Sequence, residues 1–211
     1  MKTITFVTQK GGTGKSTLAI SLAVAAEEAG HKAYVLDLDP QGSTQNWYQR
    51  REAENPPVDT TTAAKLPASL ASLKKHGYDF VIIDTAGVDT PTTAAAMQAA
   101  DLCLIPVRPS IMDIEASRPT VSSLLRLGKA FAFVLNHCPS GRNMRITDAG
   151  RALGTLGHLA EPAFVTRADH VDAVALGQGV TERDPGGKAA KEIRELLSWI
   201  EKNAEGIRHA A

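Results

Sequence analysis

Short apolar, β-branched runs recur along the chain at residues 3–8, 33–38, 80–83, 102–107 and 130–136. Each is nearly continuous and does not alternate with polar residues, the pattern of a strand covered on both faces. Between them, apolar positions fall at helical spacing over residues 16–29 and about 115–127, with Gly30 and Gly128 placed to stop the two helices. Strands alternating with helices predict βαβ units with right-handed crossovers. The expected fold is therefore α/β, a doubly wound, mostly parallel sheet flanked by helices. Residues 53–62, with Pro56, Pro57 and three successive threonines, lack periodicity and read as a surface loop. Over residues 187–203, Ile193, Leu196, Leu197 and Ile200 repeat at helical spacing with Lys188, Lys191, Arg194 and Lys202 among the polar positions. That pattern predicts a terminal amphipathic helix docked by its apolar face.

Composition narrows the picture only a little. A chain of 211 residues, 43% hydrophobic and 22% charged, suits one well-cored domain spanning 1–211 and is short for two. Basic and acidic residues balance at 23 each, so no overall field draws a polyanion and any nucleic-acid site must be a local patch. Cys103 and Cys138 each sit in an apolar stretch without CxxC spacing, which favours buried free thiols in a reducing compartment over a disulfide or a thiolate metal site. The N-terminus lacks the apolar core of a signal peptide, and no apolar run approaches the ~20 residues of a membrane span. A cytoplasmic protein with no membrane partner is expected.

The chemistry begins where the first strand runs into Lys10-Gly11-Gly12-Thr13-Gly14-Lys15-Ser16-Thr17 and a helix follows at once. Strand, glycine loop and helix in this order bind phosphate. Glycines let the backbone wrap closely with its N–H groups turned inward, the helix N-terminus adds positive potential, and Lys15 reaches the β- and γ-phosphates. The Ser16 hydroxyl is the natural ligand for Mg2+. Gln9 stands where the standard P-loop has its first glycine, and a second lysine, Lys10, lies inside the loop. The second strand ends with Asp37 and Asp39 in the string LDLDPQG, and the strand at 80–83 ends at Asp84 in DTAG. Ligands of open parallel sheets bind at this carboxyl edge. Asn136 closes the fifth apolar run, and an amide can pair with a base edge through its N–H and carbonyl together.

KGGTGKST resembles the deviant P-loop of the ParA, MinD and nitrogenase iron protein class, and the chain is most similar to the short ParA-family partition ATPases. LDLDPQGS, DTAG, VRPSIMDIEA and DPGGKAAKEI follow in the same order. The resemblance implies an ATPase that forms an ATP-dependent sandwich homodimer, with Lys10 reaching the partner's phosphates, Asp39 acting on the attacking water, Asp84 and Asp37 near Mg2+, and Asn136 at the base. It further implies non-specific DNA (nucleoid) binding and a ParB-like or other cargo adaptor that stimulates hydrolysis. Arg167, Lys188, Lys191 and Arg194 fall near positions where relatives contact DNA. Arg118, Arg126, Lys129, Arg142, Arg145 and Arg151 form a second basic stretch opposed by Asp148 alone. With the loop about ten residues from the start, no N-terminal helix-turn-helix is expected. Cys103 and Cys138 do not sit where iron–sulfur ligands are expected after DTAG, and the tail at 201–211 is short of the apolar residues of a membrane-binding helix. The rivals are a MinD-like membrane-positioning ATPase and a nucleotide-switched interaction protein with little catalysis.

Overall fold

A computed structural model describes residues 1–141 and 143–208, without the side chains of residues 205 and 208. The strands are β1 (Lys2–Phe6), β2 (Ala33–Asp37), β3 (Val58–Thr60), β4 (Phe80–Asp84), β5 (Leu102–Val107), β6 (Phe131–Leu135) and β7 (His158–Ala160). They form one parallel sheet in the order β3-β2-β4-β1-β5-β6-β7. The helices are α1 (Lys15–Glu28), α2 (Ser43–Arg50), α3 (Leu66–Lys75), α4 (Pro91–Ala99), α5 (Ile111–Arg126), α6 (Met144–Gly154), α7 (Ala168–Ala175), α8 (Val180–Arg183) and α9 (Lys188–Arg208). The expected α/β architecture, a parallel sheet flanked by helices, is the one found.

Adjacent residues of a strand face opposite layers. Ile82 belongs to a core shared with Leu18, Leu22, Ile193 and Ile200 of α1 and α9, whereas Val81 and Ile83 pack with Leu66 and Leu73 of α3 and Ala96 of α4. Cys103, Ile105 and Phe133 meet Val121 and Leu124 of α5 and Leu153 of α6. Helix α1 is buried over most of its length, consistent with a sequence rich in alanine and leucine rather than sharply amphipathic. Ile193, Leu196, Leu197 and Ile200 are buried as their spacing predicts. Cys103 and Cys138 are buried free thiols.

Three boundaries differ from expectation. The segment read as a loop, 53–62, contains β3, which pairs in register with β2 at the sheet edge, Asp37 beside Thr60; three residues are too few to show a period. Helix α5 starts at Ile111 instead of near Glu115, because Ser110 caps it by accepting from the Asp113 N–H at 3.2 Å. Helix α9 continues past 203, burying Ala204 and Ile207.

Candidate nucleotide site

The sheet order places β1 between β4 and β5; the connection leaving the carboxyl end of β1 runs to β2 on one side, whereas that leaving its neighbour β4 crosses to β5 on the other. The crevice at such a switch point is where open α/β sheets bind ligands. Here the register aligns Phe6 with Asp84 and Asp84 with Asp37. Two carboxylates thus stand side by side at the mouth of the loop that follows β1.

The loop, residues 10–17, has the geometry of a phosphate cradle. Gly12 and Gly14 have φ of 70° and 92°, and Gly14 is the left-handed N-cap of α1. A Cβ at Gly14 would lie 2.3 Å from Asn136 Nδ2, so backbone freedom and space both demand glycine there. Thr13 and Lys15 are buried, whereas Gly11 is exposed and Ser16 half-buried. Thr17 opens onto a small cavity of about 110 Å³ with Gly14, Asn136, His137 and His170. Burial drives the Lys15 ammonium below its usual pKa, against the pull of Asp84 and Asp39.

The acidic residues have distinct settings. Asp37 is buried, accepting from the Asp39 N–H at 2.9 Å and from the Gln45 N–H at 3.1 Å. It therefore ties the turn after β2 to the start of α2. Asp39 is half-buried and accepts from the Gln41 N–H at 2.9 Å. It lines a 470 Å³ cavity with Gly11, Pro40, Gly87 and Val88. Asp84 is fully buried and neither oxygen has a well-formed hydrogen bond. Burial pushes its pKa up to about 7, against the Ser16 hydroxyl and the Lys15 ammonium.

A buried carboxylate with both oxygens unpaired, beside a serine hydroxyl and a second carboxylate, is a donor set for a hard divalent cation. Ser16, Asp84 and Asp37 would hold Mg2+, which supplies charge neutralisation for phosphate oxygens when bound. Lys15 would then place positive charge at bound phosphates, and Asp39 lines the cavity beside the loop. One cavity, lined by Asp39, opens at the Gly11 end of the loop, and a smaller one, lined by His137 and His170, at its Gly14 end.

Other predicted residues take less expected places. The Asn136 amide donates to the Thr13 carbonyl at 2.7 Å and its oxygen accepts from the neighbouring His137 N–H at 2.8 Å, so its Nδ2 end braces the loop while its Oδ1 end is engaged in its own turn. Lys10 Nζ pairs with Asp113 Oδ1 at 2.7 Å. Arg167 is held by Glu192 at 2.6 Å, and Arg194 by Glu28 at 3.4 Å and the Pro185 carbonyl at 2.6 Å. Lys191 makes a long, exposed contact with Glu195 at 3.7 Å. Lys188 is exposed and has no ion pair among the described residues. Arg142 lies outside the described residues.

Sequence reasoning missed four neighbours of the loop. Arg108 donates to the Gly12 carbonyl. Asp113 holds Lys10. His137, with φ of 53°, is a left-handed non-glycine whose ring lies near Gly14. His170 has a buried, unpaired Nδ1. Only the VRPSIMDIEA string, which contains Arg108 and Asp113, hinted at any of them.

A glycine loop between strand and helix, a buried lysine and carboxylates at the sheet edge define a P-loop nucleotide-binding protein. The chain belongs to the CobQ/CobB/MinD/ParA nucleotide-binding domain family, whose model matches residues 4–204. It is 32% identical over 186 residues to the maintenance of carboxysome distribution protein A of Gloeobacter kilaueensis, covering 87% of this chain and 84% of that one. It is 28% identical over 239 residues to the chromosome-partitioning ATPase Soj of Thermus thermophilus, covering 95% of each. The structure of the septum site-determining protein MinD with Mg-ADP from Pyrococcus horikoshii superposes with a TM-score of 0.73 at 20% identity, covering 98% of each chain; that likeness shows the fold. The chain is thus a P-loop ATPase of the ParA and MinD kind, a family with positioning roles, and ATP with Mg2+ is its cofactor pair. No helix among the described residues is long and apolar enough to cross a membrane.

Proposed function

We propose that ATP and Mg2+ join two copies of this chain face to face, with Lys10 of each reaching the phosphates bound by the other. The dimer binds DNA without regard to sequence, and a cargo-bound adaptor of ParB type or another kind stimulates hydrolysis and releases it. The observation that carries this reading is the position of Lys10. Its ammonium pairs with Asp113 of α5, and not with Asp37, Asp39 or Asp84, around which Lys15 is the buried cation. Ile111 and Met112, beside Asp113, are 75% and 77% exposed, an apolar surface that a second copy would cover. The carboxysome-distribution and chromosome-partitioning relatives support a positioning role; cargo identity then resides in the adaptor.

DNA contact is assigned to the start of α9 and the residue before α7, through Lys188, Lys191, Arg167 and Arg194. Because Arg167 and Arg194 are already paired, Lys188 and Lys191 offer the freest charge. A chain of zero net charge attracts a polyanion only weakly, whereas a dimer doubles any local basic face. The test is a mobility shift on unrelated duplexes with ATP, ADP or no nucleotide at two salt concentrations. Binding should require ATP, ignore sequence and fall steeply with salt. Equal binding by the nucleotide-free and ATP forms would refute the nucleotide-controlled DNA role.

A further inference from the structure

Lys10 and Asp113 are far apart in sequence, and the fold brings them together at the outer side of the phosphate loop. Asp113 lies in the first turn of α5, its side chain 9% exposed, while that of Lys10 is 37% exposed. The ammonium is 2.7 Å from Oδ1 but off the direction of a well-formed hydrogen bond. With the lysine more than a third exposed, the pair sits at the surface end of the carboxylate. The other carboxylate oxygen accepts from the Ser110 hydroxyl. Burial raises the Asp113 pKa, yet the Lys10 ammonium, the Ser110 hydroxyl and the Arg108 charge together hold it below the usual carboxylate range.

Resting on the reading that Lys10 acts across a dimer, we propose that Asp113 is a positioning residue that holds Lys10 on its own protomer until ATP-driven assembly draws the lysine away. One ammonium cannot sit on Asp113 and also neutralise a phosphate on a second chain, so every assembly event must break this pair. The carboxylate is provided for when that happens. Ser110 still donates to it, the N-terminus of α5 still faces it with a partial positive charge, and Arg108 remains near. Release therefore does not leave a buried charge without partners, the usual obstacle to breaking such a pair. Neighbouring Ile111 and Met112 place the pair beside the apolar surface that assembly would cover. In the separate protomer the pair opposes assembly and keeps the lysine away from stray phosphate; in the dimer it is broken.

The test compares the full-length protein with Asp113→Asn, Asp113→Glu, Lys10→Ala and the Lys10→Ala/Asp113→Asn double variant. Dimer formation is followed by analytical ultracentrifugation across an ATP titration, and turnover by phosphate release. Asp113→Asn should lower the ATP concentration for half-maximal dimer about fivefold, the low end of ordinary coupling between sites. Asp113→Glu, which keeps the charge, should stay near wild type. Because Lys10→Ala should itself fail to assemble, the discrimination rests on direction. A purely structural role for Asp113 would make Asp113→Asn weaken assembly, whereas release of Lys10 should favour it, and Asp113→Asn should not restore assembly in the Lys10→Ala background. Circular dichroism confirms folding, and Asp113→Ser, which keeps a polar acceptor in the first turn, takes the place of Asn if that variant unfolds. If Asp113→Asn or Asp113→Ser assembles at wild-type or higher ATP while Lys10→Ala abolishes assembly, the holding role is wrong and the trans role of Lys10 stands. If Lys10→Ala assembles and turns over as wild type, the trans role itself fails, and this inference with it.

Discussion

Gly87 follows β4 where the chain passes behind the phosphate loop. A Cβ added there would lie 3.0 Å from Gly11 N, 3.1 Å from Gly11 Cα and 3.2 Å from the Lys10 carbonyl carbon. All three are backbone atoms, so no side chain can swing aside. Non-bonded contact becomes comfortable near 3.5 Å, so Gly87→Ala forces the loop to retreat by about 0.5 Å. Gly87 is not among the glycines with positive φ, so alanine adds crowding without backbone strain. Overpacking of this kind costs typically about 1–3 kcal/mol. Here the displaced atoms belong to the phosphate cradle, so the cost falls on nucleotide affinity as much as on folding. At about 1.4 kcal/mol per factor of ten, ATP should bind roughly 5- to 150-fold more weakly. Isothermal titration with Mg-ATP, paired with a thermal melt, measures it. Gly154→Ala is the control, because nothing lies within 4 Å of a Cβ there. Wild-type affinity in Gly87→Ala would refute the claim that this approach sets the loop.

Asn136→Ala should weaken ATP and inorganic tripolyphosphate alike, because the amide braces Thr13; loss confined to ATP would instead make Asn136 a reader of the base. Arg51, its side chain 4% exposed, pairs with Glu182 at 2.6 Å, donates to the Gly177 carbonyl at 3.0 Å and lies over Trp47 at 4.9 Å. Arg51→Ala should therefore lose about 1–3 kcal/mol in denaturant titration, through lost packing on Trp47 and an unpaired Gly177 carbonyl while Glu182 keeps the Gly179 N–H, and a loss under about 0.5 kcal/mol would contradict this. Burial holds the His170 pKa down at about 4. Between that value and the unfolded value of about 6.5, the unfolded chain carries a proton that the folded chain lacks, so stability should fall as pH drops through this window. His170→Gln should flatten that slope in melts taken from pH 7 to 4, and an unchanged slope would exclude His170 as its source.

The parts of the site written in consecutive residues were the legible ones. The 10–17 loop announces itself because strand, glycines and helix are contiguous, and Asp37, Asp39 and Asp84 because each ends an apolar run. The strands at 33–38, 80–83 and 102–107 show as unbroken apolar runs, since both of their faces are covered. β3 and β7, three residues each at the two edges, leave no such trace. Strand order is equally hidden, because pairing β1 with β4 and β5 is a long-range choice. The same limit hid Asp113 and Arg108, whose meaning lies in the atoms they meet across the fold. It also hid the pairing of Arg167 and Arg194, which their sequence positions present as free basic charge.

If nucleotide controls assembly through this site, Asp39→Ala should separate binding from release. Asp39 is half-buried and lines the cavity beside the loop; under the proposed role on the attacking water, the variant should bind Mg-ATP and fail to hydrolyse it. In analytical ultracentrifugation Asp39→Ala should therefore sediment with Mg-ATP as a persistent species of twice the chain mass. With ADP it should sediment as a single chain. Asp39→Ala that stays a single chain in Mg-ATP, or that hydrolyses ATP at the wild-type rate, would contradict the account.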